Sequence, residues 1–455
     1  MSTTARSVNA WISVDEDHPD GTSYTSPESC YQAMVRYGVY RSLDILCICW
    51  VHTLPTGAHT VPQGDGRTIT VGLGLGGHHP GGLTSQDYMD WVIRDARKVN
   101  PGIKILATLG FEGQEIERIF NPDPDTWQQA ADAFAANLMA YVERYRLDGF
   151  DVDWEQGLAS DTGPAKLALV LNAVRAVFDA QPRKYLLTLS PDQPDHLEPA
   201  AVNRTCDFVN LQIYSGHTCP EDFVSAGIDQ RLLAYGAKFE AVDEGTPYYQ
   251  TAQEAASFDW GDGCQKTRRE YDVITQWRIN SGNFQFEQAQ QMILYQLVHG
   301  VPRPGFDDAP IAGAAGNPPI TQLLVRAGDV LDAVQTLSTG TWEGMPMPYE
   351  LPQHGGDGGS PHTVSIPAGD ALVKISGYTG GWFGWDCVLQ ITLTTRKGVM
   401  FGPFGSMANS YDATPFTCAA PPGQSIVALS GSIVHVPRAS GGPTDVVASL
   451  AATYA

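Results

Sequence analysis

The sequence predicts an α/β TIM (β/α)8 barrel followed by an all-β domain, and three observations lead there. From residue 7 to about 300, short β-branched runs alternate with longer helical patterns, which marks repeated βα units around a parallel sheet. After His299-Gly300 the helical periodicity largely stops, and Gly- and Pro-rich stretches at 301–305 and 312–319 give way to alternating runs. A length of 455 residues favours two or three domains over one small module.

In chain order, strands are expected at 7–14, 43–50, 103–109, 149–154, 185–190, 207–214, 231–239 and 283–288. Eight such βα units close a barrel. Helices are expected at 86–99, 126–145, 164–180 and 267–280, the first three preceded by Thr84, Asp125 and Thr162 as N-caps, whose side-chain oxygens accept from free helix N–H groups. The boundary falls near residue 303, giving a barrel over 1–303 and an all-β domain over 304–455 with alternating runs at 320–336, 371–377, 388–395 and 425–431.

Composition narrows the partners. Hydrophobic residues make up 43% and charged residues 17%, enough apolar surface to fold a core. Twenty-eight Lys and Arg against 50 Asp and Glu give a formal charge of −22, which repels phosphate backbones and anionic lipid, so no nucleic acid partner is expected. No apolar run approaches the roughly 18 residues of a membrane span, so membrane insertion is not expected either. Met1 to Arg6 lead into Val8-Asn9-Ala10-Trp11-Ile12 without a basic n-region or an apolar h-region. The reading is a cytoplasmic or non-classically released protein, or a chain cut from a longer one.

Eight cysteines are too few for a disulfide scaffold, and none has zinc-ligand spacing. Cys47 and Cys49 point the same way along a strand and do not readily bridge; the others read as buried thiols, with Cys206–Cys219 the disulfide to consider. Gly72–Gly77 fits G-x-G-x-x-G, but Pro80 and two further glycines follow where a helix should start, which argues against a nucleotide site. His78 and His79 are adjacent, a poor spacing for a shared metal, and read as loop residues.

One octapeptide carries chemistry: Asp148-Gly149-Phe150-Asp151-Val152-Asp153-Trp154-Glu155. Strand side chains alternate, so Asp151, Asp153 and Glu155 share one face at a spacing of about 6–7 Å while Phe150, Val152 and Trp154 face the helices. In a barrel the acidic face is interior, where neighbouring carboxylates raise one another's pKa values and hold protons. A solvated acidic turn or a calcium loop would not interleave Phe, Val and Trp.

The octapeptide resembles the D-x-x-D-x-D-x-E signature of glycoside hydrolase family 18, the chitinases and endo-β-N-acetylglucosaminidases, which lies on the fourth strand of a TIM barrel. The resemblance implies that Glu155 is the general acid, that Asp153 holds the substrate's 2-acetamido group and that Asp151 supports Asp153, with Asp148 counted among the substrate-binding residues. The acetamido oxygen supplies the nucleophile through an oxazolinium ion, the substrate-assisted exception among retaining glycosidases. On the sixth strand, Gln212 and Tyr214 in Asn210-Leu211-Gln212-Ile213-Tyr214 are similar to the family's acetamido-binding pair. The family's third-strand Ser-x-Gly-Gly is only echoed by Thr108-Leu109-Gly110-Phe111. Its eighth-strand Trp has no counterpart in 283–288, so Trp11 and Trp50 become the stacking candidates. Asp192, after the fifth strand, is placed near the barrel mouth.

Residues from about 305 onward resemble a jacalin-related lectin, on Leu324–Gln335, His354-Gly-Gly-Asp-Gly-Gly359, Lys374–Gly380 and Phe401-Gly-Pro-Phe-Gly405. The resemblance implies a three-sheet β-prism I in which a G-x-x-x-D loop faces a Gly-rich loop around a sugar. Gly328 and Asp332 pair with the loop around Gly356, and Gly441 and Asp445 with Gly313–Gly316; the third repeat, Trp382-Phe-Gly-Trp-Asp386, lacks the first Gly and is expected to hold no ordinary site.

The function implied is hydrolysis of β-1,4 linkages after N-acetylglucosamine, chitinase-type, with the lectin domain for targeting. The partners are chitooligosaccharides or N-glycans at the barrel and mannose- or galactose-type sugars at the lectin. An N-glycan endo-β-N-acetylglucosaminidase and a non-catalytic carbohydrate-binding defence protein are the alternatives, the second opposed by an intact Glu155. Neither resemblance requires a cofactor or metal.

Overall fold

Strand and helix alternate through the first part of the computed structural model, which describes residues 7–55, 69–73, 79–111, 114–120, 122–155, 162–215, 218–241, 249–258, 271–437 and 444–455. The order is β1 (Ser7–Ser13), α1 (Cys30–Arg36), β2 (Ile45–Pro55), β3 (Ile69–Leu73), α2 (Ser85–Val99), β4 (Lys104–Leu109), α3 (Gln114–Glu117), α4 (Trp127–Arg144) and β5 (Gly149–Trp154). It continues with α5 (Gly163–Asp179), β6 (Leu186–Pro191), α6 (Pro199–Thr205), β7 (Phe208–Leu211), α7 (Pro220–Ser225), β8 (Leu233–Lys238), α8 (Ala252–Ser257), β9 (Val273–Trp277) and α9 (Phe284–His299). The sheet order β1-β9-β8-β7-β6-β5-β4-β2 is parallel throughout and closes through β1 and β2, while β3 is an antiparallel appendage of β2. This is a closed TIM barrel, and it places the strand carboxyl ends, including that of β5, at one mouth.

Side-chain alternation sorts each barrel strand. Trp11, Cys47, Cys49, Leu106 and Ala234 form part of one interior cluster, and Phe150 and Val152 are buried on the opposite, helix-facing side of β5. Gly149 is required there, because a Cβ would collide with the Leu186 carbonyl of β6. Helix α2 begins as its sequence suggests: Thr84 Oγ1 accepts from Asp87 N while Asp87 Oδ2 accepts from Thr84 N, a reciprocal cap. The caps expected at Asp125 and Thr162 differ: α4 starts after Thr126, α5 after Thr162, and neither threonine makes a side-chain cap bond.

The eighth strand is displaced from its expected position. Of the residues expected in it, 284–288 belong to α9, and the barrel is completed by Val273-Ile274-Thr275-Gln276-Trp277, inside the stretch read as a helix over 267–280. The β-branched run Val-Ile-Thr favours the strand. The buried face of α9 includes Gln288 and Gln291, which hides its helical period from a hydrophobicity reading.

Cys206 is a free buried thiol and Cys219 is disulfide-bonded, so the two are not joined to each other. Cys264, Gly72 to Gly77 apart from 72 and 73, and His78 lie outside the described residues.

The chain divides into two compact units, Met1–Gln250 with Glu254–Glu287 and Thr251–Gln253 with Gln288–Ala455. In the second, β10 (Gly305–Asp307) and α10 (Ala309–Ala314) precede β11 (Ile320–Ala327), β12 (Leu331–Trp342), β13 (Met345–Glu350), β14 (His354–Gly355) and β15 (Ser360–Ser365). Then come β16 (Leu372–Trp382), β17 (Trp385–Thr395), β18 (Met400–Phe404), β19 (Ser410–Ala419), β20 (Ile426–Val436) and β21 (Thr444–Tyr454). Three antiparallel sheets result, β10-β20-β21, β13-β12-β11-β15 and β18-β17-β16-β19. Leu323 and Val325 from one, Ile375 and Ile391 from another, and Leu429 and Val447 from the third meet in one core, the plan of a β-prism. The run expected at 320–336 is two strands with a turn at Gly328–Val330, and Gly313 lies in α10 instead of a sugar loop.

Candidate active site

The acids of β5 come together as the alternation requires. Asp151 is fully buried and accepts hydrogen bonds from Thr188 Oγ1 and from Ser190 Oγ at 3.1 Å, both on the neighbouring β6. A polar chain continues across the barrel: Asn210 Nδ2 donates to Ser190 Oγ at 3.1 Å, and Thr275 Oγ1 donates to Asn210 Oδ1 at 2.8 Å. Burial pushes the Asp151 carboxyl up to about 6 in spite of these donors.

Asp153, 5% exposed, stands one layer nearer the mouth. Trp50 Nε1 donates to its Oδ2 at 3.3 Å and Gln212 Nε2 to its Oδ1 at 3.3 Å. The same Gln212 nitrogen donates to Glu155 Oε1 at 2.6 Å, so one amide spans both acids. Burial, then the charges of Glu155 and Asp151, hold Asp153 well above the usual carboxylate range. Glu155 lies one residue beyond the strand; burial raises it, the Gln212 donor opposes this, and the charge of Asp192 adds to the rise. Asp192 extends the backbone pairing of β5 and β6, its N–H donating to Trp154 O at 3.2 Å. Three neighbouring carboxylates with raised affinity for protons can keep one at neutral pH and deliver it, the requirement for general acid catalysis.

Tyr214 is on a 3-10 turn over Ile213–Ser215 just past β7, not in the strand itself. The Asp153 and Glu155 charges reinforce burial in raising its hydroxyl, which stays protonated and able to donate. Trp50 is half-buried and packs against Phe111 at 5.2 Å and Trp277 at 5.7 Å between ring centroids. Trp11 lies deeper, 3% exposed, with Nε1 donating to Thr108 Oγ1 at 3.2 Å, and is packing instead of a surface for sugar.

Asp148 is not with the others. It sits at the opposite end of β5, accepting from Ile105 N at 2.9 Å and facing Arg97 and Arg183 at 3.4 Å. Seven residues at about 3.3 Å each separate it from Glu155, so it joins the floor of the barrel. Trp277 is the residue that sequence reasoning misses, because 267–280 reads as a helix; its signal is the β-branched run immediately before it.

In the second unit, Gly355–Gly359 folds over Asp332. A Cβ at Gly358 or Gly359 would collide with the Asp332 carboxylate, which is 2% exposed. Arg326 holds the loop from the other side, donating to the carbonyls of Asp357, Gly358 and Gly359. Gly328 closes against Gly359, and Gly356 packs on the Asp445 backbone. The Asp445 carboxylate is occupied by Arg303 at 2.6 Å and by His435 Nδ1 at 2.8 Å, and the Asp445 backbone is the part that meets the Gly356 loop. Gly441 lies outside the described residues.

Residues 78–291 match the family model "Glycosyl hydrolases family 18" and residues 305–435 match "Jacalin-like lectin domain". "Chitinase 1" of Aphanocladium album is 27% identical over 128 residues, 26% of this chain and 29% of that protein, so less than a third of the relative's length is spanned. Among solved structures, a family 18 N-acetylglucosaminidase from Paenibacillus barengoltzii is 20% identical, covering 52% of this chain and 69% of that one with a TM-score of 0.36. A galactose-binding lectin from Champedak is 21% identical, covering 33% and 98% with a TM-score of 0.25.

Proposed function

Since the chain carries a family 18 glycosyl hydrolase domain followed by a jacalin-like lectin domain, we propose that it is a retaining, chitinase-type glycosidase that cleaves β-1,4 linkages after N-acetylglucosamine, with the lectin domain directing it to glycans. The observation that carries this reading is the Gln212 amide spanning Asp153 and Glu155 above a buried Asp151. We place the domain boundary at 303/304.

In this mechanism Glu155 gives its proton to the glycosidic oxygen as the bond to C1 breaks. Asp153 accepts the acetamido N–H and turns the carbonyl oxygen toward C1, where it closes an oxazolinium ring in place of an enzyme nucleophile. Tyr214 donates to the acetamido group, and Asp151 shares protons with Asp153 as negative charge moves between them. Glu155, now a carboxylate, deprotonates the water that opens the ring from the same face, so configuration is retained. Trp50 and Trp277 floor the sugar by stacking on its C–H face. Each proton has a named donor and acceptor, and the remaining rate comes from holding the acetamido oxygen in line with C1.

The lectin domain is proposed to bind mannose- or galactose-type sugars through the loops around Gly328, Asp332 and Gly356 and around Gly441 and Asp445. Incubation with chitooligosaccharides and with a high-mannose glycoprotein, beside Glu155→Gln, and mass spectrometry of the products test the whole reading. Cleaved oligosaccharide is expected. Release of glycan leaving one N-acetylglucosamine on the protein would replace it with N-glycan endoglycosidase activity, and no product with sugar binding retained would leave a lectin.

A further inference from the structure

Much of the barrel interior is apolar: Trp11, Cys47, Leu106, Leu186, Phe208 and Ala234 belong to one buried cluster. Against that background Asn9, Thr275, Asn210 and Ser190, each at most 3% exposed, are costly to bury unless they are hydrogen-bonded. Every one of them is, and the bonds join end to end.

At the start of β1, Ser7 Oγ donates to Asn9 Oδ1 at 2.7 Å, and Asn9 Nδ2 donates at 3.5 Å to Thr275 Oγ1, its partner in the β1–β9 register. Thr275 Oγ1 donates to Asn210 Oδ1 at 2.8 Å, Asn210 Nδ2 to Ser190 Oγ at 3.1 Å, and Ser190 Oγ to Asp151 Oδ2 at 3.1 Å. The path runs from β1 through β9, β7 and β6 to β5. It passes over β8 because the residues of that strand in register with Asn210 and Thr275 are Ala234 and Gly236, which leave the space open.

The sense of the chain is set at its Asp151 end. An ionised carboxylate only accepts, so it takes the single Ser190 hydroxyl proton. Ser190 must then accept in turn, which directs the Asn210 N–H toward it and the Asn210 oxygen toward Thr275. Every donor therefore points toward Asp151, and bonds aligned in this way polarise one another in a low-dielectric interior. Two links are carboxamides, which do not pass a proton on, so the chain is a fixed set of dipoles and not a proton route. Among the described residues, the titratable groups that face Asp151 are Asp153 of its own strand, Cys47 of β2 and Cys206 at the end of α6. Burial pushes both thiols up, that of Cys206 to about 12, so they stay neutral and leave Asp153 as the charge that Asp151 senses.

We propose that Asn210 and Thr275 are positioning residues for the reaction: with Ser7, Asn9 and Ser190 they aim one directed chain of dipoles at Asp151, keeping its carboxylate ionised and aligned as the proton-sharing partner of Asp153. The proposal rests on the glycosidase reading above, and neither residue touches the substrate. Cutting the chain favours protonated Asp151. Activity needs a negative charge on the Asp151–Asp153 pair, which titrates as a unit, so the acid limb of kcat/KM moves to higher pH.

Thr275→Val keeps the shape and removes the hydroxyl, whereas Thr275→Ser keeps the hydroxyl. With chitotetraose as substrate, Thr275→Val should move the acid limb up by about 0.5–1 pH unit, a loss of about three- to tenfold in kcat/KM below the limb with the plateau held within about twofold. Thr275→Ser should leave the limb where the unsubstituted protein has it. Asn210→Ala cuts the chain one link nearer Asp151, should move the limb at least as far, and serves if Thr275→Val does not fold. Ser42→Ala removes a buried hydroxyl that donates to Val39 O, off the chain, and should move nothing. A merely structural role would lower Tm and the plateau without moving the limb. Carboxyl carbon NMR of aspartate-labelled protein, with the Asp151 signal identified by its loss in Asp151→Asn, reads the same upward shift without using activity. A limb and an Asp151 titration that stay in place in Thr275→Val and Asn210→Ala, or that move equally in Thr275→Ser, would overturn the proposal. If the unsubstituted protein cleaves no chitotetraose, the glycosidase reading fails for that substrate, and the carboxyl titration alone decides whether the chain acts on Asp151.

Discussion

At the scale of single residues, Glu155 and Asp192 govern the acid. Glu155→Gln keeps the shape and the contact with Gln212 but removes the transferable proton, so kcat/KM should fall by roughly 10²–10⁴-fold with Tm essentially unchanged. Asp192 adds its negative charge to burial in keeping Glu155 protonated. Activity needs the protonated form and is lost as pH rises through the Glu155 pKa, so Asp192→Asn should move the alkaline limb of the kcat/KM profile to lower pH; an unmoved limb would remove Asp192 from the account. The period of two along the octapeptide makes Asp151, Asp153 and Glu155 legible as one face from the amino-acid order alone. The same period sets Asp148 with Phe150, Val152 and Trp154 on the other face, and a parallel barrel strand begins away from the mouth, so its place at the far end of β5 is legible too and only the family signature groups it with the others. The period does not show Thr188 and Ser190, whose role arises only when β6 lies beside β5.

At the scale of elements, β9 and α9 show where pattern reading stops. Val273-Ile-Thr275 is short and followed by Gln-Trp-Arg, so it merges into an apparent helix, and the glutamines of α9 blur its period. The displacement puts Trp277 at the carboxyl end of the eighth strand, 5.7 Å from Trp50 and 5.8 Å from Trp11 between ring centroids, where the proposed mechanism uses it as a floor for the sugar. Trp277→Ala should raise KM for oligosaccharides by about two- to tenfold, the range of a lost aromatic contact, and affect the protonation limbs of the profile little; an unchanged KM would place the sugar elsewhere. The seven earlier barrel strands and the helices α2, α4 and α5 are readable because burial on both faces leaves short apolar runs between longer helical patterns, although only α2 makes the expected side-chain cap. In the prism, β12, β16, β17, β20 and β21 are strands of 11 or 12 residues, yet the turn at Gly328–Val330 is too short to break the run that spans it.

At the scale of the whole molecule, buried acids couple stability to pH. Glu287 is fully buried, accepts from Ser281 N at 3.0 Å, and is pushed up from 4.5 to about 8, chiefly by burial. A carboxyl raised in the fold contributes stability fully present below its unfolded pKa and lost as pH rises through the folded one, and Asp151, pushed up to about 6, acts in the same direction. Thermal unfolding should therefore shift to lower temperature between about pH 5 and 9, and Glu287→Gln should flatten the upper part of that decline; a Tm that holds constant to the alkaline end would contradict the burial argument. The division into a parallel barrel and an all-β domain follows from composition and period, the prism from the resemblance alone, and the availability of each loop aspartate depends on contacts that only the folded domain supplies.

The central claim is that the substrate's own acetamido group does the work of a nucleophile, and it is tested most directly by offering chitotetraose beside its fully de-N-acetylated counterpart and following the anomeric signals of the first products by proton NMR. The account predicts cleavage of the acetylated tetramer alone, with the β-anomer appearing first. Comparable cleavage of the de-N-acetylated tetramer, or an α-anomer as the first product, would contradict it.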